Sequence, residues 1–471
     1  MLQKMMSLLD FSDRVIGFNG SIEHSFQVNH LLGLFLKLFR NMNLCDLDIH
    51  FNNLKDLSLD DMVNLIVLWF HTRATRNIGK GEKYIFYKMC SKIKELIGVE
   101  PILATLFLVP HYGYYKDLCQ IFKMNIDKRI NEQIVSIYSQ QLFKDFEDMS
   151  KGKRISLASK YAPVEKGKFH DFARILAESM FSESDCYKKY RELRVKLNKY
   201  INNLESVNTN YNKFHGPELF PYQIVNNCIK TCTEYDKTVL QKQWDRMKNN
   251  IDSCPLGNSV SMIDMSVDEK LQSVGISLGI LVSELCNSDE IFIFSNDVNK
   301  IQFQKNECIV DKVQKVYSYV NNNNSSDIYK AVEHILPINP DILFIFSDMQ
   351  FCVSSDYVHP WYTPFEILNK TFLLPSIVFW NLNSNTNGYQ TSYADNNVQE
   401  VCGYSPCFFK YIKAYQVINN VIIPEEKNKK NKDIMYDVLN DKAFDPIRHA
   451  LSDIQDGIFK DYIFDDEYVI V

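Results

Sequence analysis

The stretch Ser259-Val260-Ser261-Met262-Ile263-Asp264-Met265-Ser266-Val267-Asp268 decides how the rest of the chain is read. Its first six residues form a short run without a charge until the acid at its end. A helix-like segment follows at once, Glu269–Cys286. Three more apolar runs recur downstream: Ile291–Ser295, Asp341–Asp348 and Pro375–Asn381. Short, wholly apolar runs suit central parallel strands, which are covered on both faces. Helical stretches at Val310–Val320, Ser326–Ile335 and Thr363–Lys370 lie between them. Strand–helix alternation predicts a doubly wound α/β sheet, closed by a helix over Asp433–Asp456, with Asn321–Asn324 and the lysine-rich Glu425–Asp433 as loops.

Upstream of Cys254 the pattern is different. Apolar residues recur at spacings of three and four over Ser25–Met42, Glu82–Ile97, Pro101–Phe107, Tyr114–Lys123, Asn131–Met149, Phe169–Phe181, Cys186–Leu204 and Pro221–Asn249. Another segment opens at Ser58, with Asp61 at capping-box spacing. Gly79, Gly81, Pro110, Gly113, Pro163 and Gly216 punctuate the helices. No strand is expected here. Paired helices of this length predict a stack of HEAT-like repeats, although no strict internal period is visible. The expected domains are therefore 1–253, all-α, and 254–471, α/β.

Charge divides at the same place. Residues 1–250 hold 36 Lys/Arg and 28 Asp/Glu, a balance of +8, and the remainder holds 16 and 30, a balance of −14. A basic half attracts phosphate and a carboxylate-rich half holds cations. The twelve cysteines are scattered singly, as expected of reduced, mostly buried thiols in a cytoplasmic protein. Nothing at the N-terminus reads as a signal peptide, and no run reaches the roughly 20 apolar residues of a membrane span. Cytoplasmic residence is the expectation, or a viral particle or host cytoplasm for a viral source.

Two of the apolar runs end in acid, at Asp264 and Asp348, and Ser326 stands at the start of a helix between them. The carboxyl ends of parallel strands share one edge of a doubly wound sheet. Asp264, Ser266 and Asp348 are expected to meet there, with Ser326 approaching from a neighbouring loop. Carboxylates and hydroxyls are hard oxygen ligands suited to Mg²⁺. The same residues also fit a plainer role, with Ser266 or Asp268 capping the next helix.

This pattern resembles the metal-ion-dependent adhesion site of von Willebrand A domains, D-x-S-x-S followed by a distant Thr and a distant Asp. Here Asp264-Met265-Ser266-Val267-Asp268 carries Asp268 in place of the second serine, Ser326 stands for the threonine, and Asp348 is the last acid. The resemblance implies a Mg²⁺ site at Asp264, Ser266, Asp268, Ser326 and Asp348, and a protein partner docked through it. In the first half, Thr75-Arg76-Asn77-Ile78-Gly79-Lys80-Gly81-Glu82 resembles the R-G-G-x-G-E-R signature of TROVE-related proteins. Pro110–Leu118, Ala158–Pro163, Tyr190–Arg194, Phe346–Phe351 and Val378–Leu382 extend the match. From about Leu59 to Lys413 the chain resembles an uncharacterised family, domain of unknown function 2828, which is distantly similar to the Ro autoantigen. That resemblance implies a basic helical ring that binds structured RNA, joined to a von Willebrand A domain.

One segment favours nucleic acid on its own composition. Lys151–Lys168 holds six basic residues and one acid, with Tyr161 and flexible glycines, a mixture that tracks a phosphate backbone and stacks a base. Arg73, Arg76 and Lys80 surround the Gly79/Gly81 turn. The nucleic-acid contacts expected are Arg73, Arg76, Lys80, Lys151, Lys153, Arg154 and Lys160, with a solvated loop as the plainer alternative. Gly79-Lys80-Gly81 is no P-loop, and no Ser/His/Asp set or H-E-x-x-H is present. His170 and Asp171 are neighbours in sequence and make a poor dyad. The leading expectation is a non-enzymatic RNA-binding scaffold. A metal-dependent protein-interaction module without an RNA role comes second, and a metal-dependent hydrolase third.

Overall fold

The computed structural model describes residues 14–16, 21–25, 30–54, 57–75, 77–182, 184–207, 219–230, 233–251, 256–319, 326–351, 362–386, 388–392, 395, 397–412, 417–418, 421–422 and 431–455. They form two compact units. One comprises residues 1–54 with 217–440, and the other 55–216 with 441–471. The boundary expected between 253 and 254 therefore falls inside the first unit.

The first unit is built on strands. β1 (Arg14–Ile16) and β2 (Ile22–His24) form a short antiparallel hairpin. It corrects the expectation that the N-terminal half has no strand, because three-residue strands leave no period to read. The main sheet comprises β3 (Ser259–Asp264), β4 (Glu290–Phe294), β5 (Val298–Gln302), β6 (Ile342–Ser347), β7 (Ser376–Asn381) and β8 (Val398–Cys402), in the order β5-β4-β3-β6-β7-β8. All neighbours are parallel except β4 and β5. A tiny β9–β10 hairpin (Val417–Ile418 with Val421–Ile422) stands apart. The four strands expected from apolar runs are present, and β3, β6 and β7 are buried along their whole length.

Helices cover both faces of the sheet. Val260 and Met262 of β3 join a core with Ile328, Val332 and Ile335 of the helix Ile328–Ile335. Residues on the opposite face of β3 meet the helix Glu269–Leu285, which approaches closely through Gly275 and Gly279. A Cβ on Gly279 would stand 2.5 Å from Ile263 Cδ1. The span expected as one helix over Pro221–Asn249 is two, Pro221–Lys230 and Glu234–Asn249, the second capped by Thr233.

Among its described residues the second unit has helices and no strand, its α-helices running from four residues (Val109–Tyr112) to 23 (Lys128–Ser150). Ser58 caps Leu59–Arg73 by accepting from the Asp61 amide, as its spacing predicts. Trp69 stacks on Phe86 at 4.8 Å and donates to its carbonyl. The stretches Thr75–Glu82 and Pro110–Leu118 meet in this core, where the Thr75 amide donates to the Tyr112 carbonyl and the Lys80 amide to the His71 carbonyl. The helix expected over Asp433–Asp456 is split into Asn431–Leu439 and Asp445–Gln455, which fall in different units. Asp441 accepts from the Ala443 amide. Phe444 then stacks on Tyr112, and Tyr112 Oη donates to the Ala443 carbonyl at 2.6 Å. Among the described residues no helix is long and apolar enough to cross a membrane.

Candidate metal centre

The order of the sheet reverses at β3. The chain leaves β3 toward β4 on one side, and β6 later joins β3 on the other. In an open α/β sheet this switch point leaves a crevice beyond the carboxyl ends of the two strands. Asp264 ends β3, and Ser347 and Asp348 lie at the end of β6, one step beyond the Ile263–Phe346 pair.

Asp264 is fully buried. Its Oδ1 accepts from the Ser266 amide at 2.9 Å and the Ser266 hydroxyl at 2.7 Å. Its Oδ2 accepts from Ser347 Oγ at 2.7 Å. The Ser347 hydroxyl in turn accepts from the Met349 amide, and Met349 takes a left-handed φ of 64° that turns the chain sharply past Asp348. Gln272 donates to the carbonyls of Met265 and Val267, which fixes the loop carrying Ser266. Ser326 is placed by its neighbour Asp327, which caps the helix Ile328–Ile335 through the Tyr329 and Lys330 amides. Ser326 Oγ is fully buried and has no hydrogen bond of normal geometry. Even so, it lies close enough to Asp264 to favour that group's charged form.

Electrostatics set these carboxylates apart. Burial pushes the proton affinity of Asp264 up, against the pull of the Ser266, Ser347 and Ser326 hydroxyls and the Ser266 amide. Asp348 is pushed up to about 7, first by burial and then by the negative charges of Asp264 and Asp268, while its Oδ1 accepts from the Gln350 amide. The strongest influences on both groups are burial, hydroxyls, amides and other carboxylates, and none of them is a cation. A pair of like charges in low dielectric is costly unless protonated or met by a cation.

The plainer capping role does not account for the cluster. Asp268 occupies the N-cap of Glu269–Leu285, but its side chain makes no capping bond, and the Ser266 hydroxyl is spent on Asp264. Asp268 is exposed at the rim. Among the described residues no three His, Cys, Asp or Glu side chains gather as a metal-holding group. The donor set is instead one buried carboxylate, Asp264, and one half-buried, Asp348, with hydroxyls, hard oxygens that fit Mg²⁺ or Mn²⁺. A buried hydroxyl lacking a well-formed bond, and carboxylates that no cation among the described residues pairs with, are the two observations that make the residues fit such an ion. Ser347 was missed in the sequence. Its place beside Asp348, level with Asp264 on the neighbouring strand, was the available signal.

The residues expected to contact nucleic acid are not brought together in the same way. Arg73 is buried, with its Nε 2.8 Å and Nη2 2.6 Å from Asp117 Oδ2. Lys80 is also buried. Both are corrections, because the Gly79/Gly81 turn packs into the helical core and does not open on solvent. Arg76 lies outside the described residues. Lys151, Lys153, Arg154 and Lys160 are exposed. Lys151 pairs with Glu147 at 2.5 Å, and Lys153 stands 4.0 Å from Asp148. His170 and Asp171 do touch, at 3.3 Å, but both side chains are mostly in solvent.

The family described as Domain of unknown function (DUF7788) matches residues 249–452, a span that contains the whole sheet and every residue of the cluster. No curated protein matches the chain.

Proposed function

We propose that the protein is a non-enzymatic docking module of the von Willebrand A type, which binds a partner protein through a divalent ion held at the switch point of its sheet. The observation that carries this reading is the gathering of Asp264, Ser266, Ser326, Ser347 and Asp348 at one carboxyl edge with no compensating cation among the described residues. Strand order and the carboxylate–hydroxyl donor set support it. Ser266, Ser326 and the two acids would hold Mg²⁺, directly or through its waters, and Ser347 would orient Asp264. When bound, the ion supplies an open coordination position for an oxygen of the partner. The helical unit would serve as a HEAT-like surface. A reducing compartment such as the cytoplasm suits the nine described cysteines, all free thiols.

Calorimetric titration of the full chain with Mg²⁺ or Mn²⁺ tests the reading. One site is expected, abolished by Asp264→Asn and weakened by Ser326→Ala. Absence of uptake by the unaltered protein at millimolar ion would defeat it.

A second reading, electrostatic binding of RNA, rests on one observation. Lys151, Lys153 and Arg154 are exposed on a loop tied to the helix Lys128–Ser150 by Asp145, which accepts from the Ser156 amide and hydroxyl, and to the helix Cys186–Val207 by Tyr200, which donates to the Lys153 carbonyl. Pairing of Lys151 and Lys153 with neighbouring acids limits the positive field this loop can present.

A further inference from the structure

Within the first unit the helices His30–Lys37 and Leu44–Asn53 pack against one another, and both line a cavity of about 670 Å³. That volume falls within the roughly 300–1,000 Å³ of small-molecule sites. A third wall is the stretch after β7, with Ser384, Asn385, Thr386 and Tyr389. None of the lining residues belongs to the carboxylate cluster at the switch point. Both helices turn a polar stripe to the cavity. Asp46, Ile49, His50 and Asn53 stand at i, i+3, i+4 and i+7, one helical face, and three of the four are polar. His30, Gly33 and Lys37 share a face of the other helix. A stripe shared between packed helices is ordinarily apolar. Ser25, also in the lining, keeps a solvent-excluded hydroxyl without a hydrogen-bond partner among the described residues.

Charge decides what fits. The Lys37 ammonium donates to the Thr386 carbonyl at 3.1 Å, to the Gly388 carbonyl at 2.9 Å and to the Thr386 hydroxyl, so its three N–H groups are spent. An anion would find no free donor there and would meet Asp46. A metal ion is poorly served too, since among the described residues no three His, Cys, Asp or Glu side chains gather. His50 is held neutral, its imidazole pushed down to about 4 by burial and then by the charges of Lys37 and His30. What remains is a wall of amides, hydroxyls and a neutral imidazole, groups that both donate and accept. Hydroxyls on a ring do the same, and two neighbouring ones match the paired oxygen and NH₂ of a side-chain amide. Ile49, more than half exposed, offers an apolar patch for the C–H face of such a ring. We infer that this cavity binds a neutral polyhydroxylated molecule of monosaccharide size, held by Asp46, His50 and Asn53 of one helix and by Asn385 of the stretch after β7.

The test applies saturation-transfer NMR to the full chain, with the methyl α-glycosides of glucose, galactose and mannose and the three free sugars at tens-of-millimolar concentration. A chelator is present, so that no ion at the switch point takes part. At least one probe is expected to take up saturation and to shift the His50 ring resonances, assigned by their loss in His50→Gln. Asn53 is exposed and Asp46 half-buried, so Asn53→Ala and Asp46→Asn should keep the helical circular dichroism. Each should weaken binding by about three- to tenfold, the worth of one hydrogen bond. A glycoside that binds as well as its free sugar makes the ligand the end of a glycan, and preference for the free sugar makes it a small metabolite. Both uphold the site. No saturation of any probe, or an affinity indifferent to both substitutions, would overturn it. So would inorganic phosphate shifting His50 where no sugar does, which would make the cavity an anion site.

Discussion

Arg73 in the helical unit and Asp264 in the sheet unit are both excluded from solvent. Their surroundings differ. Around Arg73 the charge is answered from within: Asp117 pairs with it, the Tyr87 hydroxyl and the Tyr114 amide donate to Asp117, and the Tyr114 ring lies 5.3 Å from the guanidinium. Even the backbone is fitted to the pair, since a Cβ on Gly113 would stand 2.3 Å from Asp117 Oδ2. Around Asp264 and Asp348 the strongest partners are hydroxyls, amides and further acid. A buried charge met by its counter-charge holds the fold together, even though Nη1 and Nη2 of Arg73 make no hydrogen bond of normal geometry. One left unanswered is a cost retained for something the fold alone does not supply.

The largest effect should come from breaking the answered pair. Arg73→Met alone or Asp117→Asn alone strands a buried charge or its partner and should cost about 3–5 kcal/mol of stability. Urea unfolding followed by helical circular dichroism measures it. The double variant Arg73→Met/Asp117→Leu should regain most of the loss. A single variant that costs less than about 1 kcal/mol, the range of exposed pairs, would erase the contrast between the two regions.

The unanswered carboxylates should behave in the opposite way. Without divalent ion, Asp264→Asn and Asp348→Asn should leave stability unchanged or raise it, because each removes a like charge from a pair of which Asp264 is fully buried. With ion present the sign reverses. An ion at one hundred times its dissociation constant stabilises a folded site by about 2.7 kcal/mol, and both variants should forfeit that gain. Thermal unfolding with Mg²⁺ and with a chelator separates the two terms. A large loss on Asp264→Asn under chelation would make the cluster structural.

Between these extremes lies a third buried set, Lys37 with Glu23 and Glu400 in the first unit. Lys37 donates to the Thr386 and Gly388 carbonyls, Glu23 accepts from the Gly388 amide, and Glu400 accepts from the Thr391 hydroxyl. One cation faces two acids, so the charge is partly answered. Burial pushes Glu400 up to about 7, with the Glu23 charge adding to the push and Lys37 and Thr391 opposing it. The folded state therefore holds a proton that the unfolded chain releases near pH 4.5, and stability should fall as pH rises from there to about 7. One proton limits the slope to about 1.4 kcal/mol per pH unit. Denaturation at stepped pH should show the decline, and Glu400→Gln should make it shallower, the remainder coming from other raised carboxyls such as Asp348, also pushed up to about 7. An unchanged slope in that variant would assign the pH dependence elsewhere.

How far the sequence could be read follows the same divide. The four central strands were legible because Ser259–Asp264, Ile291–Ser295, Asp341–Asp348 and Pro375–Asn381 are apolar on both faces. β8 was hidden by Gln399 and Glu400, buried polar residues whose partners lie on other segments. β5 was hidden because an antiparallel edge strand is half-exposed and tolerates Asn299, Lys300 and Gln302. Asp264, Ser266, Ser326 and Asp348 could be drawn together because strand ends share an edge whatever the loops do. The basic set around Gly79 misled, since a list of Lys and Arg carries no sign of Asp117, 44 residues beyond Arg73 and yet in contact with it. The division of residues 431–455 between two units depends on Phe444 finding Tyr112, a tertiary contact with no local signature.

The smallest effect expected concerns the basic loop, which tests whether exposure without an unanswered charge has any functional weight. Lys151 is already paired with Glu147, and Lys153 approaches Asp148. Reversal of Lys151, Lys153 and Arg154 to Glu should leave stability within about 0.5 kcal/mol, as surface changes usually do. If the loop does hold RNA, the reversal should weaken retention on a polyanion resin across sequences and flatten its dependence on salt, because each lost phosphate contact removes about one released counterion. If elution is the same before and after reversal, the loop is a solvated surface and the RNA reading falls. The carboxyl edge of the sheet would then be left as the region whose charge still asks for a partner.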